Sequence, residues 1–223
     1  MVNILFDIRN LAHYYNDLKA LDISSLQFEK GKVYSIIGPN GAGKTTLLHI
    51  LAFLLKPTAG VLLYEGNEAG RHDLHRLRRE ITLVGQNPYL LSTTVGRNVS
   101  YGLKLRGFDR ETIEKRVEEG LRVVGLLEKE NKPARELSGG EARRLALARA
   151  FALKSKVLML DEPLAHIDTG HTKVIEDVIK EFNRLHETTV IFTTHDLIQA
   201  TQLSDRLITM REGKIVTYKE GRW

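Results

Sequence analysis

Three stretches of the chain carry residues whose types and spacing suit chemistry on a phosphate. In GPNGAGKTT, residues 38–46, Gly38, Gly43, Lys44 and Thr45 satisfy the pattern G-x-x-x-x-G-K-[ST], with a strand-like run before the loop and a helical pattern after it. Such a loop wraps phosphate oxygens in the backbone of Asn40, Gly41, Ala42, Gly43 and Thr46, while Lys44 neutralises the β and γ oxygens and Thr45 ligates Mg²⁺. In VLMLDEP, residues 157–163, Asp161 ends a buried run and can reach that metal. Glu162 follows at once, where a second carboxylate can polarise an attacking water; its position alone also fits an ordinary loop acid. His195 ends another apolar run, and by position alone it is either a loop residue or a group at the same sheet edge. The third stretch, ELSGGEARRLALARA at 136–150, is a glycine-rich turn opening onto a helix. Ser138, Gly139, Gly140 and Glu141 therefore stand at a helix N-terminus, whose free N–H groups and positive dipole end suit an anion. One chain thus carries two phosphate cradles, and the second needs a reason.

The elements that must hold these residues alternate in type. KVYSIIG (32–38), KVLMLD (156–161) and TTVIFTTH (188–195) are continuous runs of strand length, the pattern of strands covered on both faces. After the first loop, Leu47, Leu48, Ile50, Leu51, Leu54 and Leu55 repeat at helical spacing up to Pro57 and Gly60. Residues 169–186 read as a helix, and RLITMREGKIVTY reads as a hairpin around Glu212–Gly213. Buried strands separated by helices predict an α/β fold with a mostly parallel sheet, a P-loop NTPase core. Residues 1–35 predict short alternating strands, hence an N-terminal antiparallel β layer at the edge. From 87 to 150 there are two helical patterns, 109–124 and 139–153, and no convincing buried strand, which predicts an inserted helical lobe. The chain reads as one domain, with 1–86 and 154–223 as core and 87–153 as lobe, without internal repeats or low-complexity segments.

Composition narrows the function classes. The 223 residues are 42% hydrophobic and 27% charged, an ordinary globular balance with room for a sizeable core. No run approaches the roughly 20 apolar residues that span a bilayer, and the start shows no signal peptide. Zero cysteines exclude disulfides and thiolate metal sites. The net charge of +5 would suit nucleic acid or an anionic membrane, but bases alternate with acids, as in DRETIEKRVEEGLR. That alternation favours a solvated surface with phosphate-binding residues.

The order of GPNGAGKTT, Gln86, LSGGE, VLMLDEP and His195 resembles the ATP-binding subunit of an ABC (ATP-binding cassette) transporter over essentially the whole chain, with LSGGE as the signature motif. The resemblance implies ATP hydrolysis, with ATP and Mg²⁺ bound, and assigns roles. Tyr15 takes the position of an aromatic ring stacked on adenine, with Tyr14 a close competitor. Gln86 matches a glutamine that touches Mg²⁺ and senses the membrane partner, Glu162 the catalytic base, and His195 the switch histidine at the γ-phosphate. Asp168 matches the aspartate of a loop that crosses the dimer interface. Before it, Ala165, His166 and Ile167 stand where the family often has a serine or asparagine and a leucine; the departure touches the fine hydrogen bonding of that loop, not the assignment. His166 has no second metal ligand at suitable spacing.

The same resemblance explains the second cradle. In the family two subunits stack head to tail, so Ser138, Gly139 and Gly140 would serve the ATP of a second copy of the chain, in a pair with two equivalent composite sites. Further implied partners are an integral membrane permease subunit and an extracytoplasmic substrate-binding protein, with no nucleic acid. The permease would dock a short helix in a groove around Tyr89, Leu90, Leu91 and Tyr101, at the cytoplasmic face of the cell membrane. Two other readings share the motifs. A mechanical ATPase of DNA repair would split the cassette with a long coiled coil, and no heptad run is present; a ribosome-acting ATPase usually carries two cassettes, and here each motif occurs once. A free-standing cassette resembles prokaryotic importers. The stretch NVSYGLKLRG and the lack of a C-terminal regulatory domain resemble importers of small oxyanions, tungstate or molybdate.

Overall fold

The computed structural model describes residues 3–68, 74–87, 89–165 and 169–220. Its first elements are long: β1 (Ile4–Tyr15) and β2 (Leu18–Glu29) pair antiparallel. The pairing passes from His13↔Leu21 to Tyr14↔Lys19, which leaves Ala20 as an extra residue in β2, a bulge that bends the ribbon near its tip. The chain then crosses to a second sheet with β3 (Val33–Ile37), turns through the phosphate-type loop into α1 (Lys44–Leu51), and returns to the first sheet as β4 (Ala59–Tyr64) and β5 (Asn67–Glu68). The first sheet has the order β2-β1-β4-β5. The expected antiparallel layer is therefore present, but not as short strands confined to 1–35. Half of its strands come from 59–68, and 33–37 belongs to the other sheet.

The second sheet carries the site. After α2 (Leu74–Glu80) and β6 (Ile81–Val84) come three helices, α3 (Val95–Leu105), α4 (Arg110–Val123) and α5 (Gly139–Leu153). Next are β7 (Val157–Asp161), α6 (Thr169–His186), β8 (Thr189–Thr194), α7 (Leu197–Leu203), β9 (Arg206–Arg211) and β10 (Lys214–Glu220). The order is β10-β9-β3-β8-β7-β6, with every pair parallel except the closing hairpin of β9 and β10. Ligands of open parallel sheets bind outside the carboxyl ends of the strands, and here β3, β7 and β8 lie side by side.

Side-chain alternation explains why these strands read as unbroken apolar runs. Val157, Met159 and Ile191 face a core shared with α1 and the first sheet, where Leu47, Leu48, Ile50 and Leu51 pack with Phe6 and Phe28. Leu158, Leu160, Val190 and Phe192 face the opposite core, shared with Leu145, Leu147 and Phe151 of α5. The period of two thus sends successive residues into two different cores.

Several elements depart from the sequence pattern. The helix after the loop ends at Leu51 rather than running on to Leu55. Phe53 takes a left-handed φ of 50 to 60 degrees (56°), turning its ring onto Phe6 and Tyr64 while Arg78 donates two hydrogen bonds to its carbonyl. Tertiary contacts therefore override the helical period. The stretch between 87 and 150 contains three helices, not two. α3 buries Val95, Val99 and Leu103, a single narrow stripe weakened in sequence by Gly96 and Gly102. Its start is fixed by Thr94, whose hydroxyl accepts from the Arg97 N–H. The helices at 110–123, 139–153 and 169–186 follow their patterns closely.

Candidate active site

The loop between β3 and α1 is held by close backbone approach. A Cβ on Gly38 would lie 2.2 Å from the Met210 carbonyl oxygen, and Gly43, at φ 94°, would bring one within 2.8 Å of the Ala20 carbonyl oxygen. The turn of the β9–β10 hairpin braces it from beneath, since the Gly213 N–H donates to the Ala42 carbonyl and the Asp22 N–H donates to the Gly213 carbonyl. The bulge at Ala20, the loop and the hairpin tip thus meet in one place. Lys44 follows, 6% exposed, and its ammonium donates to the carbonyls of Gly38 (2.7 Å) and Pro39 (3.0 Å). Among the described residues no carboxylate pairs with it, so a buried positive charge is satisfied by carbonyl dipoles alone.

Two strands join the loop. The Thr45 hydroxyl donates to Asp161 Oδ2 at 2.7 Å, and the Thr193 hydroxyl donates to Asp161 Oδ1 at 2.5 Å. The same Thr193 oxygen accepts the Glu162 N–H at 2.9 Å. Glu162 stands at φ 49°, a left-handed conformation that costs a non-glycine residue energy and turns the chain sharply as it leaves β7. Its carboxylate Oε2 is 3.7 Å from His195 Nδ1, just past the end of β8, where the imidazole is largely exposed.

These pieces line one cleft of 570 Å³: Tyr15, Asn40, Gly41, Ala42, Gly43, Lys44, Thr45, Thr46, Gln86, Asp161 and Glu162 all contribute. His195 sits at its rim through Glu162, and Gly38 at its back through Lys44. Of the two tyrosines, Tyr15 lines the cleft; Tyr14 lies under the Lys19 ammonium, 5.9 Å from its ring centroid. Asp168, with His166 and Ile167, lies outside the described residues.

Ser138, Gly139, Gly140 and Glu141 are not in this cleft. They open α5 with a reciprocal cap: the Ser138 hydroxyl accepts from the Glu141 N–H, and Glu141 Oε2 accepts from the Ser138 N–H. Lys129 donates to the other carboxylate oxygen of Glu141, and this ammonium, followed by the Ser138 N–H, holds the carboxyl down at about 2. The N–H groups of Gly139 and Gly140, in the first turn of α5, have no acceptor within the helix.

Sequence reasoning missed several contributors. Leu18, Lys19, Ala20, Glu212 and Gly213 also line the cleft, and nothing local in the sequence marks them as site residues. Thr193, which grips Asp161, had a signal: it is a polar residue near the end of a buried run. Arg143 did as well, as a charge on a helix otherwise rich in alanine and leucine. It is 8% exposed and its guanidinium donates to the carbonyls of Gln86 and Ala165, tying α5 to the loops beyond β6 and β7.

A second groove of 350 Å³ runs along the edge strand β6, lined by Thr82, Leu83 and Val84 with Tyr89, Tyr101 and Arg149. Leu90 and Leu91, expected there, are not among its lining residues. Leu90 packs into the core beside the helices, and the buried Asn98 side chain hydrogen-bonds both backbone groups of Leu91. Among the described residues no helix is long and apolar enough to cross a membrane.

Comparison with known proteins bears on the family and the fold. The model of the ABC transporter family matches residues 21–165. The chain is 42% identical over 208 residues to a tungstate uptake system ATP-binding protein of Peptoclostridium acidaminophilum, covering 93% of this chain and 95% of that protein. It is 39% identical to a methionine import ATP-binding protein of Carboxydothermus hydrogenoformans, spanning 94% of this chain but only 64% of the longer relative. Among solved structures, the dimeric post-hydrolysis cassette MJ0796 bound to ADP and Pi superposes with a TM-score of 0.91 at 28% identity, over 98% of this chain and all of that one. CbiO1 of Clostridium perfringens, part of the cbiONQ transporter complex, gives 0.87 at 30% identity over 98% of this chain and 89% of its own. With phosphate loop, paired carboxylates and signature helix carried on a matching α/β frame, the chain belongs to the ABC transporter family as an ATP-binding, ATP-hydrolysing cassette.

Proposed function

We propose that this cassette drives import, two copies closing around two ATP molecules beneath a permease. The observation that carries the reading is the junction at Asp161. There the hydroxyl of the phosphate loop meets the carboxylate at the end of β7, and Glu162 comes next on the cleft wall. The hydroxyl and carboxylate oxygens of Thr45 and Asp161, with the Gln86 side chain on the same cleft, form the oxygen donor set that Mg²⁺ prefers. When bound there, the ion would neutralise charge between the β- and γ-phosphates.

The chain's own residues supply the rest. Lys44 contributes its ammonium to the same phosphate oxygens, and the loop backbone from Asn40 to Thr46 supplies N–H donors. Tyr15 stacks on adenine at the other end of the cleft. Glu162 takes a proton from water as the water oxygen bonds to the γ-phosphorus; the bond to the β–γ bridging oxygen breaks, and ADP and phosphate leave. His195 holds the γ-phosphate side of the site, beside Glu162. Ser138, Gly139, Gly140 and Glu141 form the opposing wall for the partner's nucleotide, and Asp168 acts across the same interface. Residues 1–86 and 154–223 act as the ATP-binding body and 87–153 as the lobe that carries the signature helix.

The groove along β6, with exposed Tyr89 and Tyr101, suits a helix of the permease, so the cassette works at the cytoplasmic face of the membrane. Full-length similarity to a tungstate uptake protein supports a tungstate-type oxyanion as cargo, delivered by an extracytoplasmic binding protein. The test of the chemistry is Glu162→Gln, which should keep ATP binding, trap an ATP-bound dimer and lower turnover by about 10²–10⁴-fold. Turnover at the wild-type rate would remove Glu162 as the base. For coupling, Tyr89→Glu should abolish tungstate uptake by the assembled transporter while the isolated cassette still hydrolyses ATP. Equal loss of both would overturn the docking role.

A further inference from the structure

The side chains of Leu11, His13 and Tyr15 share one face of β1, because strand residues alternate. Leu11 and His13 are buried, whereas Tyr15, at the end of the strand, is 47% exposed on the rim of the nucleotide cleft. The imidazole of His13 meets the Tyr15 ring nearly at right angles, 83°, with centroids 4.7 Å apart, the geometry in which aromatic pairs attract. A rim tyrosine without such a wall would sample several rotamers, and a base could stack on it only after paying that entropy.

A histidine is an expensive choice for mere filling at this point. It is 6% exposed, its Nε2 is buried without a hydrogen-bond partner, and its Nδ1 lies 3.4 Å from the Thr58 hydroxyl. That same hydroxyl accepts the Tyr14 N–H at 3.1 Å, and the Thr58 N–H donates to the Ala12 carbonyl, so the imidazole rests against a pinned neighbour. An aliphatic side chain would fill the space without leaving a polar atom unsatisfied. What it would not supply is a flat, fixed ring at right angles to Tyr15.

We infer that His13 is a positioning residue for nucleobase recognition, holding the Tyr15 ring so that its free face is ready for the base. The inference rests on the reading of Tyr15 as the adenine platform. His13 acts through Tyr15 and touches neither the phosphates nor the attacking water.

The test compares ATP with inorganic tripolyphosphate, which presents the phosphates without a base, on the full chain carrying His13→Leu, His13→Phe, Tyr15→Ala, or His13→Leu with Tyr15→Ala. His13→Leu should weaken ATP binding about threefold to tenfold, the range conferred by an edge-to-face ring contact, and leave tripolyphosphate binding unchanged. The loss should appear in KM for ATP rather than in kcat, His13→Phe should restore it, and His13→Leu should add nothing once Tyr15 is alanine. Unchanged ATP affinity in His13→Leu beside a loss in Tyr15→Ala overturns the inference and spares the platform reading. Equal weakening of ATP and tripolyphosphate, or a full His13→Leu effect in the Tyr15→Ala background, shows a packing role and overturns it as well. If Tyr15→Ala itself leaves ATP affinity untouched, the platform reading falls, and the inference with it.

Discussion

Two glycine-rich turns lead into helices in this molecule, and they are built in opposite ways. The turn before α1 is closed by its own chain. Carbonyls of Ala20 and Met210 crowd Gly43 and Gly38, the lysine is buried against two carbonyls, and eleven expected site residues gather in one cleft around it. The turn before α5 is capped but open: Ser138 and Glu141 satisfy each other, and an added Cβ on Gly139 would meet nothing within 4 Å. Among the described residues nothing requires glycine there. A small residue with free N–H groups at an exposed helix start suits an anion that approaches from outside, as proposed for the phosphate of a second subunit's ATP. The first turn is complete in one chain, and under the proposed function the second is half of a site.

The largest effect expected from that contrast is complementation. Lys44→Ala and Ser138→Arg should each abolish hydrolysis as homodimers, by more than about 100-fold, since each removes phosphate stabilisation from both composite sites. In a mixed dimer one site carries both lesions and the other carries none, so nucleotide occlusion should return at one site per dimer when Glu162→Gln is added to both chains. Absence of occluded nucleotide in purified mixed dimers would mean that each subunit uses its own signature helix.

A smaller effect separates the two turns by stability. Gly43→Ala forces an alanine to φ 94° and sets its methyl against Ala20 and Leu21, which should lower stability by about 1–3 kcal/mol and take ATP binding with it. Gly139→Ala should raise or preserve stability, by up to about 1 kcal/mol, because alanine is the better helix residue and the space is open. It should nevertheless slow hydrolysis by the dimer. Thermal melts alongside ATPase assays read both, and a destabilised Gly139→Ala would erase the distinction.

The smallest effect concerns the cap itself. The Glu141 carboxyl titrates near 2 in the folded chain, held down by Lys129 and the Ser138 N–H, against an ordinary value of 4.5. A group whose pKa falls on folding contributes stability above its unfolded value and loses it as pH drops through the folded value. The melting difference between the wild type and Glu141→Gln should therefore be constant above pH 4.5 and shrink steadily towards pH 2. A difference that does not change over that interval would show that the Lys129–Glu141 pair does not form in solution.

Much of this was legible before any coordinates. Motif spacing named the phosphate loop, Asp161, Glu162 and the signature turn, because each needs a particular residue at a particular chain position. Unbroken runs at 157–161 and 189–194 gave away strands buried on both faces, since strand side chains that enter two cores leave no polar side. The misses share a different cause. The helix after the loop stops early because Phe53 is drawn back onto Phe6 and Tyr64, a contact between residues 47 positions apart or only 11, which local periodicity does not register. The α3 pattern was diluted by two glycines, and β6 is a four-residue edge strand too short to announce itself.

What the sequence determined by itself was the set of candidate groups: which residues suit phosphate, which carboxylates follow one another, and which turn could hold a second anion. Those are properties of short segments, fixed by residue type and spacing. Only the tertiary structure decided which of Tyr14 and Tyr15 lines the cleft, that Thr193 grips Asp161 from a neighbouring strand, and that Arg143 ties the signature helix to the loops around the site. Those are relations between residues far apart in the chain, 57 positions for Arg143 and Gln86 and about 150 for Tyr15 and Glu162, and they exist only once the parallel sheet has set its strands side by side.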